Sequence, residues 1–303
     1  MAESIKAYAK INLHLEVLNR RDDGYHNIFS LMASVALHDL LKLEDISVRG
    51  SAGGIDIAVA VTNKGGSYGH VTDSIPAHEN LIAKASTLYL ERIGMNGTAA
   101  FSIKKNIPSG AGLGGGSSDA AAALKLFNGM FKKFNEFELA EIGSKIGADV
   151  PYCLRGGFAI CRGKGEIVLP VPGKLPYWVL VVNDGIHIDT DKAYQALRRS
   201  GDIDRDQEAG IGKSTRLFAQ ALASGSIEVL KTAAVNDFEA PVFLQHPAIG
   251  QLKEMLYRHH ADYAIMTGSG SSVIGLFSTK DKAVKAQTKL KEKYDEVILT
   301  RFV

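Results

Sequence analysis

The stretch that most limits what this chain can fold into is a short strand, a glycine-rich turn and a helix in immediate succession. Ala99–Ile103 has strand character, Asp119–Phe131 is alanine-rich with apolar residues at helical spacing, and between them lies Pro108, Ser109, Gly110, Ala111, Gly112, Leu113, Gly114, Gly115, Gly116, Ser117 and Ser118. Glycine lacks Cβ, so successive amides can turn toward one anion. A helix starting directly behind adds its positive end and unpaired N–H groups. Ser117 and Ser118 add hydroxyls for phosphate oxygens or a magnesium ion. Together these features suit a triphosphate. A flexible linker would be polar throughout and would lack a helix fixed behind it.

Two look-alikes carry less weight. Gly110-x-Gly112-x-x-Gly115 formally fits the dinucleotide fingerprint, but that pattern belongs between a first strand and its helix. Here it lies a third of the way along the chain. Gly212-Lys213-Ser214 resembles the end of a P-loop, yet the glycine such a loop needs is replaced by Gln207.

Around this unit, strands and helices mix in both halves, which predicts an α+β fold. Ile5, Ala7, Ala9, Ile11, Leu13, Leu15 and Val17 alternate with mostly polar residues, the period of a strand. Arg20–Gly24 ends it with turn residues. A second apolar stretch runs over roughly Ile28–Leu43, and further strands are expected at Ile55–Val61, Gly157–Val171, Trp178–Val182, Tyr263–Met266, Val273–Phe277 and Glu296–Phe302. Helices are expected at Leu81–Ile93, capped by Asn80 and closed by Gly94, and at Glu136–Ile146, Thr190–Arg199, Thr215–Ala223, Ala248–His260 and Lys280–Tyr294. Gly65–Ala77 is expected to be a loop. A chain of 303 residues accommodates two lobes. The prolines at 170, 172 and 176 mark the expected boundary, giving domains 1–172 and 173–303.

Composition narrows the function classes. The formal charge is +2 and there is no basic block, so nucleic acid is not the expected partner. Cys153 and Cys161 lack metal-ligand or disulfide spacing, so neither a zinc site nor a disulfide framework is expected, and no protein-bound metal. MAESIKAYAK lacks the apolar centre of a signal peptide, and no apolar run is long enough to span a bilayer. A cytoplasmic protein without membrane partners, monomeric or weakly dimeric, is expected.

Three separated segments then carry a resemblance. Ala9-Lys-Ile-Asn-Leu-His-Leu15, the Pro108–Ser118 loop running into Asp119-Ala-Ala-Ala, and Thr267-Gly-Ser-Gly-Ser-Ser-Val273 together resemble the GHMP kinases in order, spacing and context. The resemblance implies a ribosomal-S5-like N-terminal lobe, a ferredoxin-like C-terminal lobe and an active site between them. It also implies ATP as phosphoryl donor, with Mg2+ accompanying it. Arg21-Asp-Asp-Gly-Tyr-His26, Glu79-Asn-Leu-Ile82 and Gly147-Ala-Asp-Val-Pro151 resemble the branch that phosphorylates the 2-hydroxyl of a cytidine diphosphate derivative in the non-mevalonate isoprenoid pathway.

By the same resemblance Lys10 and Asp149 form the catalytic pair. Pro108–Ser118 cradles phosphate, with Asn80 and Lys105 beside the adenine. Tyr25 and His26 recognise the cytosine, Tyr194 stacks on its other face, and Asn12 and Thr190 line the substrate's phosphate and tail. The segment Ile188–Tyr194 departs most from the family pattern. From the residues alone, Asp149 also fits a helix cap or turn before Pro151, Tyr25 a core aromatic, and Gly268-Ser-Gly270 a tight turn between strands. Carboxylates are weak bases at neutral pH, so Asp149 is expected to orient the hydroxyl and take its proton late.

Overall fold

The computed structural model describes residues 4–50, 56–69, 75–76, 79–197 and 205–303. They form two compact units, each assembled from separated stretches of chain. One comprises Met1–Lys10, Leu37–Ser109 and Gly114–Gly156; the other comprises Ile11–Ala36, Gly110–Leu113 and Gly157–Val303. Two long strands, β1 (Ser4–Arg20) and β2 (His26–Gly50), contribute to both.

In the first unit β3 (Ile57–Asn63) runs parallel to β4 (Met95–Lys104), which pairs antiparallel with β2 from Leu40 onward. The helix α1 (Leu81–Arg92) makes the crossover that a parallel pair requires. Asn80 caps it, accepting from Ile82 N–H at 2.9 Å, and Gly94 follows its end at φ +68°, as the sequence predicts. Behind the glycine loop, α2 (Gly115–Phe131) buries Ala120, Ala121, Ala122 and Ala123 together. Those small side chains let it sit closely against its neighbours, and Leu124, Phe127, Tyr89 and Phe101 fill the core beside it. Two short helices, α3 (Glu136–Ser144) and α4 (Val150–Arg155), complete the unit.

In the second unit β5 (Phe158–Arg162) pairs with Ser30–Ala33 of β2 and with β6 (Ile167–Pro170). β7 (Trp178–Asn183), β8 (Tyr263–Met266), β9 (Val273–Phe277) and β10 (Glu296–Arg301) form an antiparallel sheet in the order β10-β7-β9-β8. With α5 (Thr190–Leu197), α6 (Arg205–Ser224), α7 (Ile227–Lys231), α8 (Glu239–Gln245) and α9 (Pro247–Arg258) between β7 and β8, and α10 (Lys280–Leu290) before β10, this is an elaborated βαββαβ arrangement. Leu180, Val182, Leu252, Leu256, Phe238 and Phe277 lie at its centre. Gly212-Lys213-Ser214 lies within α6, a regular helix and not a phosphate loop. Among the described residues no helix is long and apolar enough to cross a membrane.

Strand β1 departs from a half-solvated pattern. Its alternation predicts one apolar and one wet face, but Lys10, Asn12 and His14 are buried alongside Ala9, Ile11 and Leu13. Buried polar groups need partners, and His14 is the least satisfied of the three. Its Nδ1 accepts from Val235 N–H at 3.1 Å, which places the proton on Nε2, and Nε2 has no hydrogen-bond partner. Phe29 and Phe218 pack against the ring.

Burial pushes the His14 imidazole down to about 4 from its ordinary 6.5, against a smaller opposing effect of the backbone near Ala233. The unfolded chain therefore takes up this proton first as pH falls. Stability present above about pH 6.5 is lost progressively toward about pH 4, by at most about 3 kcal/mol. Urea unfolding near neutrality and at about pH 4.5 is expected to show this loss, and His14→Leu is expected to reduce it. An equal drop in both proteins would rule His14 out as the source.

Candidate active site

The helix that follows the glycine loop starts without a cap of its own. Gly114, at φ 66° and ψ 25°, precedes α2 and offers no side chain to its amides. The N–H groups of Gly115, Gly116 and Ser117 come before the first intrahelical bond, from Ser118 N–H to Gly114 C=O at 2.9 Å. Unpaired amides at the positive end of a helix attract an anion. The loop is nevertheless anchored, since Pro108, Ala111 and Leu113 are buried. The sequence places the helix start at Asp119, but α2 begins at Gly115. The last glycines and both serines are therefore its first turn.

Lys10 and Asp149 converge on this helix start. The stem of Lys10 crosses Gly114 so closely that a Cβ there would lie 2.8 Å from Lys10 Cγ. Glycine is thus required at 114 twice over, by contact and by left-handed backbone. Lys10 Nζ lies 3.4 Å from Asp149 Oδ2. Asp149 occupies the N-cap position of α4 but makes no side-chain capping bond, so its carboxylate is directed to Lys10 and not to the helix. Ser118 Oγ donates to Tyr8 C=O at 2.7 Å. Ser117 Oγ faces Gly147, 3.7 Å from where a Cβ would stand. An ammonium, a carboxylate, a hydroxyl and free amides thus meet at one end of a helix, the equipment phosphoryl transfer uses.

The two residues expected beside the adenine are both engaged within the protein. Asn80 is the cap of α1. Lys105 is buried, and its ammonium donates to Asp39 Oδ2 at 2.5 Å and Asp119 Oδ2 at 2.7 Å. Its point charge is directed to carboxylates rather than to an open surface.

Asn12 and Thr190 meet at the second glycine turn. Asn12 N–H donates to Thr267 Oγ1 at 2.9 Å, and Asn12 Nδ2 to Ser30 Oγ at 2.8 Å. Thr190 Oγ1 and Ser269 Oγ are 3.0 Å apart. Gly112 fits against this turn, where a Cβ would meet Thr267 O at 2.4 Å. Asn236 was not singled out from the sequence, yet its Nδ2 donates to Met266 O at 2.7 Å and Gly268 O at 2.9 Å, tying the turn together. Its isolation between two helices gives no periodic signal. Asn183 Nδ2 binds Ser272 Oγ at 2.9 Å from below.

Arg21–Tyr25 forms the tight connection between β1 and β2. Arg21 N–H donates to Tyr25 O at 2.8 Å, Gly24 adopts φ +86°, and Asp23 accepts from Arg21 and from Tyr25 N–H. The Tyr25 side chain is 54% exposed, which does not fit a core aromatic. Lys164, unmarked in the sequence, places its ammonium 4.6 Å from the Tyr25 ring centre. Tyr194 lies face to face with His26, centroids 4.9 Å apart and planes 18° from parallel, and Phe238 supports Tyr194 edge-on at 4.9 Å. No flat ring can enter between His26 and Tyr194, so the two act as one aromatic wall. Burial, then the charge of Arg20, holds the His26 imidazole below its ordinary pKa and favours the neutral ring.

This chain belongs to the GHMP kinase family: residues 80–157 match the GHMP kinases N terminal domain and residues 218–296 match GHMP kinases C terminal. It is a small-molecule kinase of the two-lobed α+β type. Its relatives include 4-diphosphocytidyl-2-C-methyl-D-erythritol kinase of Caldicellulosiruptor saccharolyticus, 36% identical over 98% of this chain and 95% of the relative. The protein of that name from Clostridium kluyveri is 37% identical, with 99% of each chain covered. A crystal structure of 4-(cytidine 5'-diphospho)-2C-methyl-D-erythritol kinase superposes with a TM-score of 0.74 at 30% identity, covering 99% of both chains. Homoserine kinase from Cytophaga hutchinsonii shares the fold, with a TM-score of 0.71 at 18% identity.

Proposed function

We propose that this chain transfers the γ-phosphoryl group of ATP to the 2-hydroxyl of 4-diphosphocytidyl-2-C-methyl-D-erythritol, a step of the non-mevalonate route to isoprenoid precursors. The observation that carries the chemistry is the Lys10–Asp149 pair at the uncapped start of α2. The full-length relatives and the Arg21–His26 turn support the choice of acceptor.

The triphosphate lies against Pro108–Ser118, with the amides of Gly115, Gly116 and Ser117 facing its oxygens. The acceptor oxygen attacks the γ-phosphorus, the bond from that phosphorus to the β,γ-bridging oxygen breaks, and ADP departs with the electron pair. Lys10 balances negative charge at the transferring group, where placed charge is worth most. Asp149 orients the hydroxyl and receives its proton as the new bond forms. Mg2+ accompanies ATP. The nearby protein donors are oxygens, the Ser117 hydroxyl and the Asp149 carboxylate, which suits an ion that takes most of its ligands from phosphate and water. When bound, it neutralises charge shared between the β- and γ-phosphates.

For the cytidyl group, Tyr25 offers its exposed face to cytosine, and His26, backed by Tyr194, meets the base edge. Lys164 beside Tyr25 adds a positive charge close to where a diphosphate would lie. Asn12 and Thr190 line the path of the acceptor's phosphates and tail along the Thr267–Ser272 turn. The protein works in the cytoplasm as a monomer or weak dimer.

The test is ADP release from ATP with three acceptors in parallel: the cytidyl substrate, its cytidine-free core and mevalonate. Turnover is expected with the first, and kcat/KM lower by at least about a hundredfold with the others. Equal rates on all three would remove the assignment of acceptor.

A further inference from the structure

Three ionisable side chains are buried together at the base of the glycine loop. Asp39 on β2 is 0% exposed, Lys105 just after β4 is 7% and Asp119 in α2 is 5%. Lys105 bridges the two carboxylates, binding Asp39 Oδ2 and Asp119 Oδ2. The other oxygen of Asp39 accepts from the backbone N–H of Asn106 at 2.5 Å and of Ile107 at 2.9 Å. Asn106 Nδ2 adds a bond to His38 C=O at 2.9 Å. The residues that lead the chain into Pro108 and the helix that leaves after Gly114 are therefore tied to one point on β2.

Stability alone does not account for this cluster. Apolar residues of the same shape are often as stable as a buried ion pair, or more so. Two carboxylates share one ammonium, and Asp119 Oδ1 has no hydrogen-bond partner. Burial pushes the Asp119 carboxyl well above its ordinary pKa, with Lys105 opposing that rise. What such a costly group supplies is a fixed geometry.

We propose that Asp39, Lys105 and Asp119 form a clasp that holds both ends of the glycine loop at the spacing ATP phosphates require. Asp39 and Asp119 are thus positioning residues for nucleotide binding that do not touch the nucleotide. This rests on the reading of Pro108–Ser118 as the ATP cradle.

The test measures affinity for a non-hydrolysable ATP analogue, KM for ATP and for the cytidyl acceptor, kcat and the thermal midpoint. Wild type is compared with Asp39→Asn, Lys105→Met, their double variant and Asp119→Asn. In Asp39→Asn the amide can serve either the Asn106 and Ile107 N–H groups or Lys105, but not both. It is expected to weaken ATP by about tenfold, with kcat and the acceptor KM within about twofold of wild type. The double variant is expected to be little worse than either single one, because both break the same device. Asp119→Asn keeps one acceptor for Lys105 and is expected to weaken ATP by about threefold, so it tests the clasp even where Asp39→Asn fails to fold.

A folded Asp39→Asn or Asp119→Asn with wild-type ATP affinity would overturn the clasp, as would equal rises in both KM values. Wild-type protein that fails to bind the analogue would overturn the cradle reading and the clasp with it. Binding by wild type with unaltered variants overturns the clasp alone.

Discussion

Asp149→Asn is expected to lower kcat by about 10²–10⁴-fold while changing both KM values by less than about threefold. The carboxylate is excused from helix capping and sits 3.4 Å from the Lys10 ammonium, so its loss does not unravel α4. Asparagine preserves size and polarity but is a poor proton acceptor. It therefore removes an interaction made in the transition state and leaves ground-state binding nearly intact. Steady-state kinetics with each substrate varied separately checks this. Near-normal turnover would show that the proton leaves by another route and that Asp149 is not a base.

Lys10→Met is expected to lower kcat by about 10²–10³-fold. Methionine keeps much of the unbranched stem that lies across Gly114, so the start of α2 retains its packing. What it removes is the charge. Because Lys10 and Asp149 act on one another, the two losses should not add, and the double variant is expected to be little slower than the worse single one. A Lys10→Met enzyme with normal kcat and a raised KM for ATP would assign the lysine to nucleotide binding instead. Circular dichroism and the thermal midpoint, both expected to stay near wild type, separate this from misfolding.

Much of this architecture is legible in the sequence because local signals agree with the fold. The alternation from Ile5 to Val17 became β1, Asn80 and Gly94 bracket α1, and each expected strand from Trp178 onward appears within a residue or two. Strand periodicity reports which face a side chain is on but not whether that face is wet. That is why Lys10, Asn12 and His14 are buried on a face that reads as polar. Glycine has no side chain to signal helix or loop, so the first turn of α2 was hidden in the glycine run.

The site was less evenly readable. Motif spacing points to residues such as Lys10, Asp149 and the glycine loop, but residues that hold a motif in place leave no such pattern. Asp39 is 66 residues from Lys105, and Asn236 is 30 from the carbonyl it binds. Neither separation leaves a trace in local composition. Tyr194 was expected on the far side of the base and instead stacks on His26, a relation between two rings that no spacing encodes. Lys164 comes near Tyr25 only because the β5–β6 turn carries it there.

The destination of the transferred phosphate separates this activity most directly from any other. Phosphorus NMR of a reaction containing the chain, ATP, Mg2+ and 4-diphosphocytidyl-2-C-methyl-D-erythritol is expected to show one new monoester resonance. It should grow in step with ADP while the cytidyl diphosphate remains intact, and carbon coupling should place it on the 2-hydroxyl. ATP consumed with only inorganic phosphate appearing, or a monoester on a different oxygen, would contradict it.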